Sequence, residues 1–180
     1  MPTDTSPVDD DLTVRRFEPG DGQRVRELNE AAMSRTPEWV PGAPDRDLED
    51  VPGHYFDGGE FLVGVRDGEV VATAAYEPLE RWMAEQFEGD SATPDATVEL
   101  SRMRVDPDCW GRGYGTEMYG ELERRARADG YEAFVLNTGV ESDRARGFYE
   151  ALGFAHVRNR RVDFGDVELH LALYRRTIGG

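Results

Sequence analysis

The chain has 180 residues, 37 acidic side chains against 21 basic ones, a formal net charge of −16 and one cysteine. All 21 basic residues are arginine, so Schiff-base chemistry and the lysine of a Walker-type phosphate loop are excluded, and so acidic a chain is a poor match for nucleic acid or an anionic membrane. The length suits one domain, Cys109 has no partner for an intrachain disulfide, and without a signal-peptide-like or membrane-spanning stretch the reading is a cytoplasmic protein.

Arginine in place of lysine on a carboxylate-rich surface is the composition of a protein kept hydrated in concentrated salt. The charge is therefore read first as the mark of a halophile and only second as a clue to a ligand. Residues 1–11 have almost no apolar content and read as a disordered acidic tail, which leaves 12–178 as the domain. Leu12, Val14 and Phe17 alternate and predict a strand broken by Pro19 and Gly20. Asp21 is expected to cap a helix whose apolar face is Val25, Leu28 and Ala32 and which stops before Pro37. Residues 37–59, with four prolines and four glycines, read as a loop holding a short helical turn at 45–50.

Phe61 to Val65 and Val70 to Tyr76 flank Asp67-Gly68, the signature of a hairpin with a tight turn. Leu79 to Phe87 has helical spacing. Val98 to Val105 predicts a strand whose alternation breaks near Ser101 and Arg102, the mark of a bulge. A helix over about 116–129 carries Met118, Leu122 and Ala126 on one face and stops at Gly130, with Glu121 and Glu123 ordered to pair with Arg125 and Arg127. Phe134 to Leu136 is a strand, and Ala145, Phe148 and Leu152 mark a helix ended by Gly153. Phe154 to Asp163 and Val167 to Tyr174 form a second hairpin across Gly165. The sum is a mixed α/β sheet without internal repeat.

The most specific feature is the loop from Val105 to Thr116, in which Gly111, Gly113 and Gly115 alternate with Arg112 and Tyr114. Glycines at this spacing let backbone NH groups converge at a helix start, which makes an anion site from main chain alone. The spacing does not match the dinucleotide fingerprint, and the P-loop lysine is missing.

This loop, its helix, a strand, and then Ser142-Asp143-Arg144-Ala145-Arg146-Gly147-Phe148-Tyr149-Glu150-Ala151-Leu152-Gly153-Phe154 resemble the GCN5-related N-acetyltransferase (GNAT) superfamily. The resemblance spans Leu12 to about Arg176. It implies a single-domain mixed sheet of about seven strands flanked by helices, with splayed central strands that bind acetyl-CoA as co-substrate and direct transfer of the acetyl group to a primary amine of a small molecule or peptide. Trp110 stands where the family usually has Gln or Arg, and Ser142 where an Asn is common; Ser142 is expected to cap the helix instead.

The same resemblance implies roles for particular residues. Glu99 falls where several members keep a general base; its other reading is an ordinary polar residue on a strand. Tyr149 matches the tyrosine beside the CoA sulfur, and otherwise packs helix on sheet. The backbone of Met103, Arg104 and Val105 would face the acetyl and pantetheine groups. Gly111 to Thr116 would hold the pyrophosphate, with Arg112 adding charge, and Asn137 and Ser142 would touch the cofactor. Trp39, Trp82 and Phe87 are candidates for the amine pocket. His54, His156 and His170 lack ligand spacing, so no metal is expected, and Cys109 reads as a packing residue. The partners expected are an amine acceptor and, through the final apolar strand, a second copy in a homodimer. The alternative function is a catalytically idle acyl-CoA-binding module.

Overall fold

The computed structural model describes residues 11–179; the acidic tail expected over 1–11 lies, Asp11 apart, outside them. Strand β1 (Thr13–Arg16) and helix α1 (Gly22–Met33) precede a short helix α2 (Val51–Tyr55), strands β2 (Glu60–Arg66) and β3 (Glu69–Pro78), and helix α3 (Arg81–Gln86). Then come β4 (Thr97–Val105), α4 (Tyr114–Ala128), β5 (Ala133–Gly139), α5 (Asp143–Ala151), β6 (Ala155–Asp163) and β7 (Glu168–Thr177). All seven strands share one mixed sheet in the order β1-β2-β3-β4-β5-β7-β6.

The local chemistry explains most of these elements. Asp67 and Gly68 have φ of 51° and 78°, the left-handed pair that a two-residue hairpin turn requires. The expected bulge in β4 is present: Thr73 pairs with Arg104 and Ala75 with Ser101, so two residues of β4 oppose Ala74, and Arg102 takes φ 51°. Both expected ion pairs of α4 form, Arg125 to Glu121 at 2.8 Å and Arg127 to Glu123 at 2.7 Å.

Three local expectations are corrected. Asp21 does not cap α1; its carboxylate accepts from the Glu18 NH and from both terminal nitrogens of Arg15. Residues 51–55 form α2 although they contain Pro52 and Gly53, because a proline in the first turn gives up an NH that has no helical acceptor anyway. The final strand β7 lies between β5 and β6, with both its sides paired, so it offers no edge to a second copy; the edges are β1 and β6.

Helices cover both faces of the sheet. Met118, Leu122 and Ala126 of α4 pack on Leu62, Ala74, Val98, Leu100 and Phe134. On the other face Val25 and Leu28 of α1 and Tyr55 of α2 meet Phe61 and Val63, while Met83 of α3 packs with Val135, Leu171 and Leu173. The feature that positions everything below is at the centre. Strands β4 and β5 run parallel but pair only over Thr97–Ala133, Val98–Phe134 and Glu99–Val135. Beyond Glu99, β4 keeps only β3 beside it and β5 continues along β7. The sheet therefore opens into a cleft.

Candidate active site

A cavity of about 1180 Å³ occupies this cleft, large enough for two reactants by the usual size of small-molecule sites. Its floor is the glycine loop and the start of α4. Gly113 is the residue before α4, with φ 82° and nothing within 4 Å of where a Cβ would stand, so the main chain there faces open space. A Cβ on Gly115 would come to 3.1 Å from the Phe148 ring, so any larger residue would push that ring back by a few tenths of an ångström. Gly111, Tyr114 and Thr116 complete this part of the wall, and Arg112 is exposed outside it. A helix N-terminus presents NH groups that have no intrahelical acceptor, together with the positive end of its dipole. The glycine loop and the helix start that such a cradle would need are both present, with α4 starting slightly earlier than the spacing suggested.

Trp110, the departure from the family pattern, is held by its indole NH, which donates to the Val105 carbonyl at 2.9 Å. The guanidinium of Arg144, in the first turn of α5, lies 3.5 Å from the centre of the indole. A cation thus stands at the loop after all, supplied from a different helix and stacked on the residue that replaced the basic one. Both side chains line the cavity. Arg144 was quoted in the family motif without a role, because no sequence signal ties it to Trp110.

The exposed flank of β4 forms one wall, through Met103, Val105 and two arginines. Arg102 is tied down: its guanidinium donates to Asp47 at 2.6 and 2.9 Å, to Asp45 at 3.0 Å and to Asn29 at 3.1 Å. Burial pulls its pKa down, but the bonds to Asp47 more than offset this and hold it above the ordinary value. Arg104, expected among the cofactor residues for its backbone, sends its side chain across to Asn29 of α1 at 3.1 Å. Asn29 was missed; the usable signal was a polar residue beside Leu28 on the buried face of α1.

Glu99 is 7% exposed, and it stands directly across from Glu77 of β3. Burial first, then the charges of Glu77 and Glu80, push its pKa up to about 8. It is not part of the cavity wall. Its carboxylate sits behind Asn137, whose amide donates to it at 3.4 Å, and Asn137 does line the cavity. Glu77 in turn meets His54 at 2.6 Å near the surface. Tyr149 lines the opposite side of the cleft; burial pushes its phenol up to about 12, against the pull of nearby Arg104.

Other expectations fall differently. Ser142 precedes α5 without a capping bond from its side chain; its hydroxyl donates to Glu38, in the segment after α1. That segment also brings Trp39 to the cavity wall as expected, but Trp82 and Phe87 pack under β5 and β7 and are not among the lining residues. Cys109 is buried beside Val71 and Tyr114. Among the described residues no three His, Cys, Asp or Glu side chains group to hold a metal, and no helix is long and apolar enough to cross a membrane.

Comparison with known proteins bears on the family and the fold. The model of the acetyltransferase (GNAT) family matches residues 24–154. The chain is 30% identical over 162 residues to the N-alpha-acetyltransferase RimI of Mycobacterium tuberculosis, covering 89% of this chain and 87% of that protein. It is 33% identical over 113 residues to the N-acetylaspartate synthetase of Homo sapiens, where the match covers 62% of this chain and only 33% of the relative. Among solved structures, an N-acetyltransferase from Staphylococcus aureus Mu50 superposes with a TM-score of 0.71 at 18% identity, over 93% of this chain and 99% of that one. A phosphinothricin acetyltransferase from Sinorhizobium meliloti, solved in complex with acetyl-CoA, gives 0.71 at 20% identity, over 93% and 89%. An open sheet, a glycine cradle and a family match across most of the domain lead to one conclusion: the chain belongs to the acetyltransferase (GNAT) family, as an acyltransferase with acetyl-CoA as co-substrate.

Proposed function

We propose that the single domain over residues 12–178 transfers an acetyl group from acetyl-CoA directly to a primary amine of a small molecule or peptide. The observation that carries this reading is the buried carboxyl of Glu99, with a pKa of about 8, one residue behind the cavity wall. An alkylammonium ion must lose a proton before it attacks a carbonyl, and a base poised near working pH is what that step needs. The names of the relatives, an N-alpha-acetyltransferase and N-acetylaspartate synthetases, favour nitrogen as the acceptor atom.

Acetyl-CoA supplies the acyl thioester; this chain's residues position it and manage protons. The start of α4 receives the pyrophosphate on the main chain from Gly111 to Thr116, with Arg144 adding charge over Trp110. The unpaired flank of β4 at Met103 and Val105 faces the arm that carries the thioester. Glu99 takes the amine's proton by way of the cavity beside Asn137. Tyr149 is a poorer proton donor than its position suggests: a phenol at about 12 lies some three units above an ordinary thiol at about 8.5, so complete transfer to a thiolate is uphill. It acts instead as a hydrogen-bond donor to the departing sulfur.

Tyr149→Phe is accordingly expected to lower kcat by about 10- to 100-fold, below the range of a full general acid, with the KM for acetyl-CoA unchanged. Full turnover in this variant would remove Tyr149 from the reaction. Arg144→Ala is expected to raise the KM for acetyl-CoA about fivefold, the effect of one exposed charge of about 1 kcal/mol, and the difference should fade in molar salt. The reading as a whole is tested by free-thiol release from acetyl-CoA over a panel of amino acids, peptides, polyamines and aminoglycosides, at low and at molar salt. Amine-dependent thiol release is expected; binding of acetyl-CoA with no release for any amine would overturn it.

A further inference from the structure

On the β4 side of the cavity wall, Arg104 is a guanidinium that forms no ion pair with any carboxylate among the described residues. Arg102 and Arg104 project from the same stretch of β4, yet the carboxylates within reach, Asp45 and Asp47, both bond to Arg102. Arg104 has neutral partners instead. Its Nε donates to Asn29 Oδ1 at 3.1 Å, an oxygen that also accepts from Arg102, and one Nη donates to the carbonyl of Met103 at 3.0 Å. Among the described residues no carboxylate lies within ion-pair distance of Arg104, and its second Nη has no protein partner. Burial and the neighbouring charge of Arg102 both lower its pKa, so the protein alone makes this an unfavourable place for a cation.

A guanidinium presents a fork of donors shaped for a carboxylate, and a half-buried one on a cavity wall with part of its fork unused is a receptor for an anion. The anion is not the pyrophosphate, because the cradle at the start of α4 lies on the glycine loop, whereas Arg104 reaches toward α1 beside Asn29. Nor is it the thioester, which carries no charge. Arg104 and Tyr149 line the same cavity, and the guanidinium pulls on the neutral phenol, so Arg104 stands toward the end where the proposed transfer would occur.

We propose that Arg104 receives the carboxylate of the acceptor, which makes that acceptor a free α-amino acid rather than a peptide N-terminus or a polycation. The inference rests on the acetyl-transfer reading above and narrows its substrate class. In an α-amino acid the carboxylate is two bonds from the amine nitrogen, so anchoring one end on Arg104 brings the other to the transfer end of the cavity. In a peptide the same carbon belongs to a neutral amide, and the half-buried guanidinium would stay unpaired. Polyamines and aminoglycosides carry no carboxylate and would leave Arg104 unpaired in the same way. Arg102, with its donors taken by Asp45, Asp47 and Asn29, holds the wall in place and leaves Arg104 to select.

The test compares amino acids with their own amides, which lack the carboxylate charge, with rates expressed per neutral amine because the amide's amine is also the less basic. Initial rates of thiol release from acetyl-CoA are measured for wild type, Arg104→Gln and Arg104→Met, with thermal unfolding as the check that each variant folds. In wild type, kcat/KM is expected to favour the acid over its amide by about 10²-fold or more. Both variants are expected to bring that ratio within a fewfold of one, by raising the KM for the acid much more than that for the amide. Equal or better use of amides by wild type would overturn the inference and leave acetyl transfer standing, as would an equal loss on acid and amide in the variants. Absence of thiol release with every amine, charged or neutral, would overturn both. The wild-type comparison alone decides the matter should neither variant fold.

Discussion

Glu99→Gln is expected to lower kcat by about 10²- to 10⁴-fold, the usual contribution of a positioned base, and to abolish the pH dependence it controls. In the wild-type enzyme the carboxyl must be ionised to accept a proton, so the rate should climb as pH rises through about 8, where burial and the charges of Glu77 and Glu80 have set its pKa. The variant has no such group, and its residual rate should follow only the ionisation of the free amine. The same residue affects stability with a definite sign. Between the ordinary glutamate pKa of about 4.3 and the folded value, the unfolded chain has released a proton that the native state still holds. The native state therefore loses stability as pH rises across that window, and Glu99→Gln is spared the loss. Its melting temperature should match wild type near pH 4 and exceed it above pH 8. A pH–rate profile that keeps its limb in the variant would take Glu99 out of the reaction, whatever the melting curves show.

Loss of Arg102 should be the most damaging single change to the fold near the site. Its guanidinium binds Asp45, Asp47 and Asn29 at once, and Tyr55 adds a bond to Asp47 at 2.5 Å. Removing one partner from a buried charge network leaves the others desolvated and unpaired, at about 3–5 kcal/mol. Arg102→Asn is the informative variant, because Asn tolerates the left-handed φ of 51° at this bulge and so isolates the charge from backbone strain. Its urea midpoint should fall by the equivalent of about 3 kcal/mol or more, and the segment from Asp45 to Tyr55 should exchange its amide hydrogens fastest. A shift below about 1 kcal/mol would mean that the network is solvated and contributes little. Asp47, held below its ordinary pKa by Arg102 although burial pushes the other way, adds stability that is present above pH 4 and is lost on acidification.

The local signals in the sequence were strong where the physics is local. Asp67-Gly68 dictates its hairpin because two successive positive φ values leave few other residues possible. The alternating glycines before α4 and the Phe148-Tyr149 helix are likewise short-range patterns, and they carried the family resemblance. The break in alternation at Ser101 and Arg102 located the bulge. What the sequence concealed depends on pairs far apart in the chain. Ser142 binds Glu38 rather than capping its own helix, because a carboxylate from the segment after α1 arrives at its hydroxyl. Arg144 replaces a basic loop residue from another helix. Asp45 and Asp47, in a proline-rich loop with no pattern of their own, fix an arginine on β4. Trp82 and Phe87 looked like pocket residues by position, but the order of β5 and β7 in the sheet gave them a core to fill.

The short ladder between β4 and β5 has a consequence for how the enzyme is maintained in its cell. Three residue pairs are a narrow seam between a half built on β1 to β4 and a half built on β5 to β7, bridged on one face by α4. On the proposed function the acyl donor would lodge in that seam and touch both halves, serving as mortar as well as reagent. Occupancy stabilises the folded chain by mass action, about 2.7 kcal/mol when the donor stands at a hundred times its Kd. The abundance of intact enzyme is thereby coupled to the supply of the compound it consumes: a starved cell loosens the seam, and a well-fed one keeps it closed.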